Sequence, residues 1–418
     1  MRLCSLRART SKAGGCALLS LICLAGAKKA SAQDPPPPPP PTREADAVTA
    51  RQTKSTSLTP NLPGKVEAAF KYIEETRLVA RILNPTSGWF VKTGGMAEGN
   101  GMGLGGGYRL PVADGRVDFR GTASLSRAYV TEAAWTSDAD FDDEVAFNAT
   151  ISHRRDAQQY FFGLGPETTD QRRSAYSLRS TTYNAGTTVR IAPRLSAQGG
   201  VAYISVDLND PELSISPTAT VLFAGEGIPA LVNQPNMFVV SGGVVFDRRD
   251  ALNARSGGRY AIFHAQHQDR SRTFHDFGAT TIDLQEFLPM WNKTRVLAIR
   301  LLGVQTDAPE GHTVPFYLQP TLGGSRSLRG FSRQRYRDQS TALLQVEYRY
   351  EVNPFVMGAV FVDAGQVARS WTKLNSSQTQ YDYGIGLRVG YTGGVGLRAD
   401  FAFGGEGPRV ILAMSGVF

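Results

Sequence analysis

The side chains in this sequence best equipped for chemistry are arginines and carboxylates. Between about Thr306 and Ser340 stand Arg326, Arg329, Arg333, Arg335 and Arg337, in a stretch that follows neither a helical nor a strand period. Just beyond it, Glu347 and Asp363 fall on the polar side of alternating segments. A guanidinium brought into a partly dehydrated space must find hydrogen-bonding anions, and its planar fork suits carboxylates better than an ammonium would. The pattern predicts that the loop's arginines find Glu347 and Asp363, in a cluster that holds a loop rather than turning over a substrate. Alone, the basic run would equally suit a solvated surface loop. Its length argues against that, because long loops without secondary structure are uncommon unless they serve a function.

Other chemistries find little support. The five histidines, His153, His264, His267, His275 and His312, belong to no serine-nucleophile motif. His264 and His267 are three positions apart, which in a strand puts them on opposite faces and spoils a shared metal site. All three cysteines, Cys4, Cys16 and Cys23, lie within the first 32 residues. The expectation is no enzyme, no metal and no organic cofactor. Those first residues also hold six of the 45 basic side chains and no acidic one, which leaves 39 against 37, a net charge of +2. No nucleic-acid partner is expected at that balance.

Residues 1–32 have the layout of a secretory signal peptide: Arg2, Arg7, Arg9 and Lys12, an uncharged run from Gly14 to Ala27, and Ala30-Ser31-Ala32 as the cleavage site. Lys28 and Lys29 between the run and the cut depart from the usual layout. Residues 33–62 open with the prolines Pro35 to Pro41 and continue in polar residues, the composition of a disordered linker. Residues 63–86 predict a short helix, with Val66, Phe70 and Ile73 at helical spacing and Asn84-Pro85 as its stop. An accessory helix at a barrel mouth and a plug in its lumen are both open readings.

From residue 87 onward the period changes to two. Val117 to Tyr129, Tyr183 to Ile191, Ala342 to Tyr350, Tyr381 to Tyr391 and Val395 to Phe403 each set apolar residues against polar or glycine positions. Successive side chains of a strand point to opposite faces, so each segment has one greasy and one wet side. Segments of nine or more alternating residues suit tilted strands crossing a bilayer better than ordinary strands of about five or six residues. In hydrocarbon such a sheet has to close, because an open edge would leave backbone groups unpaired. The fold class predicted for residues 87–418 is therefore all-β, a transmembrane antiparallel β-barrel. Its 332 residues divide over 16 strands at about 21 each with connections, and 14 or 18 strands fit nearly as well. The chain ends on Phe418, with Val410, Leu412 and Met414 on the same face, like the C-terminal signal of outer-membrane barrels.

Three separated motifs carry a family resemblance. Asp247-Arg248-Arg249-Asp250, followed by Ser256-Gly257-Gly258, looks like a strand-turn-strand signature in which Asp247, Arg249, Asp250 and Gly257 are the matching positions. Leu322-Gly323-Gly324-Ser325-Arg326-Ser327-Leu328-Arg329-Gly330-Phe331 resembles the Arg-Gly-Phe element of a sixth outer loop that folds back into the lumen. Phe361-Val362-Asp363-Ala364-Gly365 matches a Phe-x-Asp-x-Gly strand. Together they make the chain similar to the BamA/TamA-type outer-membrane assembly and bacterial surface antigen superfamily. The resemblance implies a lumen lock formed by Arg329, Gly330, Phe331, Glu347, Phe361, Asp363 and Gly365. It also implies Sec export, the outer membrane of a Gram-negative bacterium as location, and outer-membrane lipids, unfolded barrel clients or lipid as partners, with the oligomeric state left open. One departure stands out: the 54 residues between Ala32 and Ser87 leave no room for the periplasmic polypeptide-binding modules of the family's insertases and exporters.

The expected function is assistance to the insertion or transport of protein or lipid at the outer membrane, through a seam between the first and last strands. Gly405, Gly407 and Gly416 are candidates for loosening pairing there, although glycines also serve ordinary turns. The alternative is a passive porin-like channel or structural barrel without insertase activity.

Overall fold

The computed structural model describes residues 49–50, 53, 83–94, 96, 99–138, 144–250, 254–291, 294–353, 356–389 and 397–413. The expected signal peptide, most of the linker and of the helix at 63–86, Met414, Gly416 and the terminal Phe418 lie outside them. The chain divides into two compact units, residues 1–63 and 64–418. Of the first, Thr49, Ala50 and Thr53 are helical, and the Thr53 hydroxyl donates to the Thr49 carbonyl at 2.8 Å.

The second unit is an antiparallel meander of sixteen strands. In chain order these are β1 (Gly88–Thr93), β2 (Leu104–Val112), β3 (Gly115–Ala123), β4 (Tyr129–Ser137), β5 (Val145–Phe161), β6 (Ser174–Ala192), β7 (Leu195–Asn209) and β8 (Met237–Asp247). They are followed by β9 (Gly257–Asp269), β10 (Phe277–Met290), β11 (Arg295–Asp307), β14 (Ser340–Asn353), β15 (Val356–Ala368), β16 (Gln380–Val389), β17 (Leu397–Gly404) and β18 (Gly407–Ala413). The remaining two, β12 (Thr321–Leu322) and β13 (Tyr336–Arg337), form a separate small hairpin inside the 308–339 loop. The sheet begins at β1 and ends at β18, and among the described residues no backbone ladder joins them.

Alternation of side-chain chemistry decides which face meets what. On β15, Val360 and Val362 are half exposed while Phe361 and Asp363 between them are buried. On β14, Leu344 and Tyr350 are exposed, whereas Gln345, Glu347 and Arg349 are buried. β16 repeats this with Tyr381, Tyr383, Ile385 and Leu387 outside. Apolar side chains are thus outward and ionic ones inward, the inverse of a soluble sandwich and the arrangement of a lipid-facing barrel. The connections are also asymmetric: β6–β7 and β2–β3 turn in two residues at one end, whereas β7–β8 and β11–β14 span 210–236 and 308–339 at the other.

Wrapping of the sheet follows from what the 308–339 loop touches. On one side, Arg337 accepts from the Gly165 backbone N–H between β5 and β6, at 2.8 Å. On the other, Arg409 of β18 donates to the Ser332 hydroxyl at 3.2 Å. One loop can contact strands so far apart in the sheet only if the sheet curls around it.

One sequence expectation is corrected. Val117 to Tyr129 is not a single strand, because β3 ends at Ala123 and β4 begins at Tyr129. The Ser124 backbone N–H donates to the Ala128 carbonyl at 2.9 Å, and Arg127 adopts φ 64°, so the chain reverses there. Leu125, which continued the apolar period, sits fully exposed at the tip of that turn.

Candidate functional site

Arg329 stands at the centre of the buried ionic cluster and is fully enclosed. Its Nε and Nη2 donate to the two oxygens of Asp363 at 2.7 and 2.9 Å, a bidentate fork. Its Nη1 donates to Glu347 Oε2 at 2.8 Å and lies 3.5 Å from Asp400 Oδ2. The guanidinium carbon sits 3.3 Å from the centroid of the Phe361 ring, a cation–π contact between two buried side chains. Burial alone would lower the pKa of Arg329, but the Asp363 and Glu347 carboxylates outweigh it and hold the group above its ordinary value. The charge is therefore permanent, and only its partners make its burial tolerable.

The strand motif in β15 reads as three consecutive inward positions, each with a task toward the loop. Phe361 underlies the guanidinium, Asp363 receives its fork, and Gly365 leaves the space taken by Leu322, since a Cβ there would lie 3.0 Å from a Leu322 methyl. Next door on β16, the alternating glycines have the same meaning. A Cβ on Gly384 would stand 2.5 Å from the Phe361 ring tip, and one on Gly386 would stand 2.3 Å from Asp400 Oδ1. Aromatic and carboxylate side chains thus fill the inward space their glycine neighbours vacate.

Gly330 and Phe331 complete the loop tip. A Cβ on Gly330 would meet Asp382 Cβ at 2.6 Å and the Gly404 backbone nitrogen at 2.7 Å, so the loop backbone rests directly on β17. Phe331 is buried with Leu322, Leu328, Tyr336, Leu343 and Val367, and its ring approaches the Gly405 position. Gly405 therefore accommodates the loop. Gly407, with φ 90°, opens β18 at its turn.

Around this centre the ionic lattice extends. Glu347 also accepts from Arg349 Nε at 2.8 Å and Arg388 Nη2 at 2.9 Å. Arg388 and Arg398 both pair with Asp400, and Arg398 Nη2 donates to the Ser325 carbonyl at 2.7 Å. Gln345 bridges the loop to the wall, donating to Ser327 O at 3.0 Å and Asp363 Oδ1 at 3.2 Å. Asp382, opposite Asp363 in register, is buried against Gly330. The lattice sets Arg329, Arg349, Arg388 and Arg398 against Glu347, Asp363 and Asp400, while Asp382 lies beside it without an ion pair among the described residues.

The sequence-predicted lock residues Arg329, Gly330, Phe331, Glu347, Phe361, Asp363 and Gly365 are all brought together. Arg349, Arg388, Arg398 and Asp400 were missed as members, though each occupies a polar position in an alternating strand and parity could have found them. Glu406 was also missed. It accepts from the Ser332 backbone N–H at 2.8 Å and pairs with Arg335, yet it sits in the β17–β18 turn, where no periodicity marks it.

The other loop arginines part company. Arg335 reaches Thr168 as well as Glu406, with Nη2 donating to the Thr168 carbonyl at 2.6 Å. Arg337 is buried, bonded to the Phe316 carbonyl and, at 3.2 Å, to the Tyr176 hydroxyl. These contacts sew the loop to the β5–β6 side of the wall.

The turn motif lies apart, between β8 and β9 at the short-turn end. Arg249 donates to Asp247 through Nη2 at 2.7 Å, and Asp250 accepts from the Arg255 and Ser256 backbone N–H groups at 2.9 and 3.2 Å. Gly257 has φ 92°, and a Cβ there would meet the Arg248 carbonyl at 2.2 Å. Asp247, Arg249, Asp250 and Gly257 thus brace the two ends of the β8–β9 connection, and Arg255 ties it to Glu351 at the foot of β14.

Comparison with known proteins places this arrangement. BamA from Haemophilus ducreyi lacking POTRA domains 1–3 superposes with a TM-score of 0.56 at 14% identity, over 82% of this chain and 77% of that one. CdiB from Escherichia coli superposes at 0.52 with 12% identity, over 78% of this chain and 59% of that one, so this chain spans about three fifths of the CdiB chain. At such identities the likeness is one of fold. Comparison with curated proteins finds no match. The Omp85 superfamily domain matches residues 115–408, a span that contains the β8–β9 turn, the Arg329 loop and the β15 motif. With more than half its length so matched, the chain belongs to the Omp85 superfamily.

Proposed function

We propose that this protein is an outer-membrane barrel, Sec-exported in a Gram-negative cell, that assists the insertion or translocation of protein or lipid. The observation that carries the reading is the fully buried Arg329, forked onto Asp363 and bonded to Glu347, which anchors the 308–339 loop across the lumen. A loop fixed by a desolvated ionic lattice gives rigidity to a barrel that must keep its shape while its edges engage another chain. The first strand β1 is only six residues long, and an edge that is weakly committed can template an incoming strand. The turnover in this reading is mechanical, with no bond chemistry assigned to any side chain.

The test is insertion of a radiolabelled unfolded barrel client into proteoliposomes carrying the full chain. The reading expects faster insertion than in protein-free liposomes, and a clear loss of that acceleration in Arg329→Ala protein that still folds. Equal rates with and without the protein would leave a porin-like or purely structural barrel as the better account.

A further inference from the structure

The outward face of β4 to β7 is built in rungs whose chemistry changes toward the long-loop end. The lower rungs are apolar: Trp135, Ala149, Ala185 and Val201 stand in register, and above them Ala133, Ile151, Tyr183 and Tyr203. The alanines form the floor of a groove walled by Trp135, Ile151 and Tyr183. The next rung is polar, with Thr131, His153, Thr181 and Ser205, where His153 Nδ1 meets the Thr181 hydroxyl at 2.8 Å and Nε2 meets the Tyr129 hydroxyl at 3.2 Å. The top rung is Tyr129, Arg155, Arg179 and Asp207.

Arg155 and Arg179 are direct cross-strand partners on this outward face. Like charges in that relation repel and weaken a sheet unless an anion lies between them. The protein's own anions do not fill that role. Glu212 is shared by Arg155 and by Arg127 from the β3–β4 turn. Asp207 is exposed and makes no ion pair with Arg179, whose side chain bonds to no described residue. Three guanidiniums against two carboxylates leave the rung positively charged.

Its height matches a membrane boundary. From Val145 to Arg155 the chain climbs ten residues along β5, about 33 Å of strand, which at a tilt of about 40° corresponds to the height of about 25 Å typical of a lipid-facing band. We propose that the Arg155–Arg179 pair, with Arg127 beside it, binds the phosphate of a phosphorylated lipid in the leaflet at the long-loop end, and that the alanine-floored groove below takes one of its acyl chains. The phosphate supplies the missing counter-charge, the Thr131, Thr181 and Ser205 hydroxyls of the rung below offer hydrogen bonds to the ester region, and the groove gives the chain a trough. The site lies on the outer wall, remote from the Arg329 lattice, so it stands or falls independently of the insertion reading.

The experiment is native mass spectrometry of the full chain in detergent with phosphatidic acid, with diacylglycerol of the same chains, and with inorganic phosphate. The proposal expects retention of phosphatidic acid over diacylglycerol, and a loss of about tenfold or more in that preference for the Arg155→Gln/Arg179→Gln double variant. Arg179→Gln alone is the second variant: it removes the repulsion with Arg155 without setting a second carboxylate opposite Asp207, so the barrel should melt no lower than the parent while lipid retention falls. Unchanged retention in either variant would overturn the proposal. So would inorganic phosphate displacing the lipid at equal concentration, which would show a simple anion site.

Discussion

At the residue scale, Arg329 is the side chain whose loss should be felt most. Arg329→Ala leaves Asp363 and Glu347 buried without their shared partner, a change that costs roughly 3 to 5 kcal/mol in comparable buried pairs. Arg329→Lys should recover only part of this, because an ammonium cannot span both oxygens of Asp363 while also reaching Glu347. Thermal unfolding in detergent, or the temperature at which the barrel loses its compact migration on gels, checks both. A lysine variant as stable as the parent would show that the fork geometry is irrelevant. Gly330→Ala is predicted to displace the loop tip without touching any charge, because the added methyl meets Gly404 backbone and Asp382. Increased protease cleavage between 308 and 339 is the expected sign. Much of this was legible in advance, since Glu347 and Asp363 occupy inward parity positions and the arginine run needed anions. That Phe361 lies beneath the guanidinium was not legible from parity alone, because an inward phenylalanine is equally compatible with packing against the wall.

At the element scale, period two located the strands well wherever both faces were chemically distinct, as on β14, β15 and β16. It failed at Val117 to Tyr129, where serines continued the polar parity through a turn that Arg127 closes with a positive φ. Register and connection lengths place the 308–339 loop, whose limits the break in periodicity had already marked at both ends. Within that loop, burial pushes the Asp338 carboxyl above the usual carboxylate range. A carboxyl whose folded pKa is raised holds its proton longer in the native state, so its contribution falls as pH rises from the unfolded value of about 3.9 through the folded one. Asp338→Asn keeps the side-chain oxygen that accepts from the Gln339 N–H and removes the titration. Its melting temperature should match the parent's near pH 4 and exceed it near pH 8. A constant difference across that range would assign the effect to something other than ionisation.

At the scale of the whole molecule, one loop joins walls that are distant in the meander, from Gly165 and Tyr176 at β5–β6 to Glu406 and Arg409 at β17–β18. Deleting residues 325–332 should therefore widen the lumen and lower thermal stability together, the first read as a larger single-channel current in planar bilayers and the second as an earlier melt. A loss of stability with no change in current would place the loop's contribution in the wall alone. The bookkeeping of the lattice adds one consequence. When the loop departs it takes Arg329 with it, while the wall keeps three paired carboxylates, Glu347, Asp363 and Asp400, against Arg349, Arg388 and Arg398. The vacated passage would then be lined by equal numbers of fixed charges of either sign, and potassium and chloride should follow with little preference, visible as a reversal potential close to zero in a salt gradient.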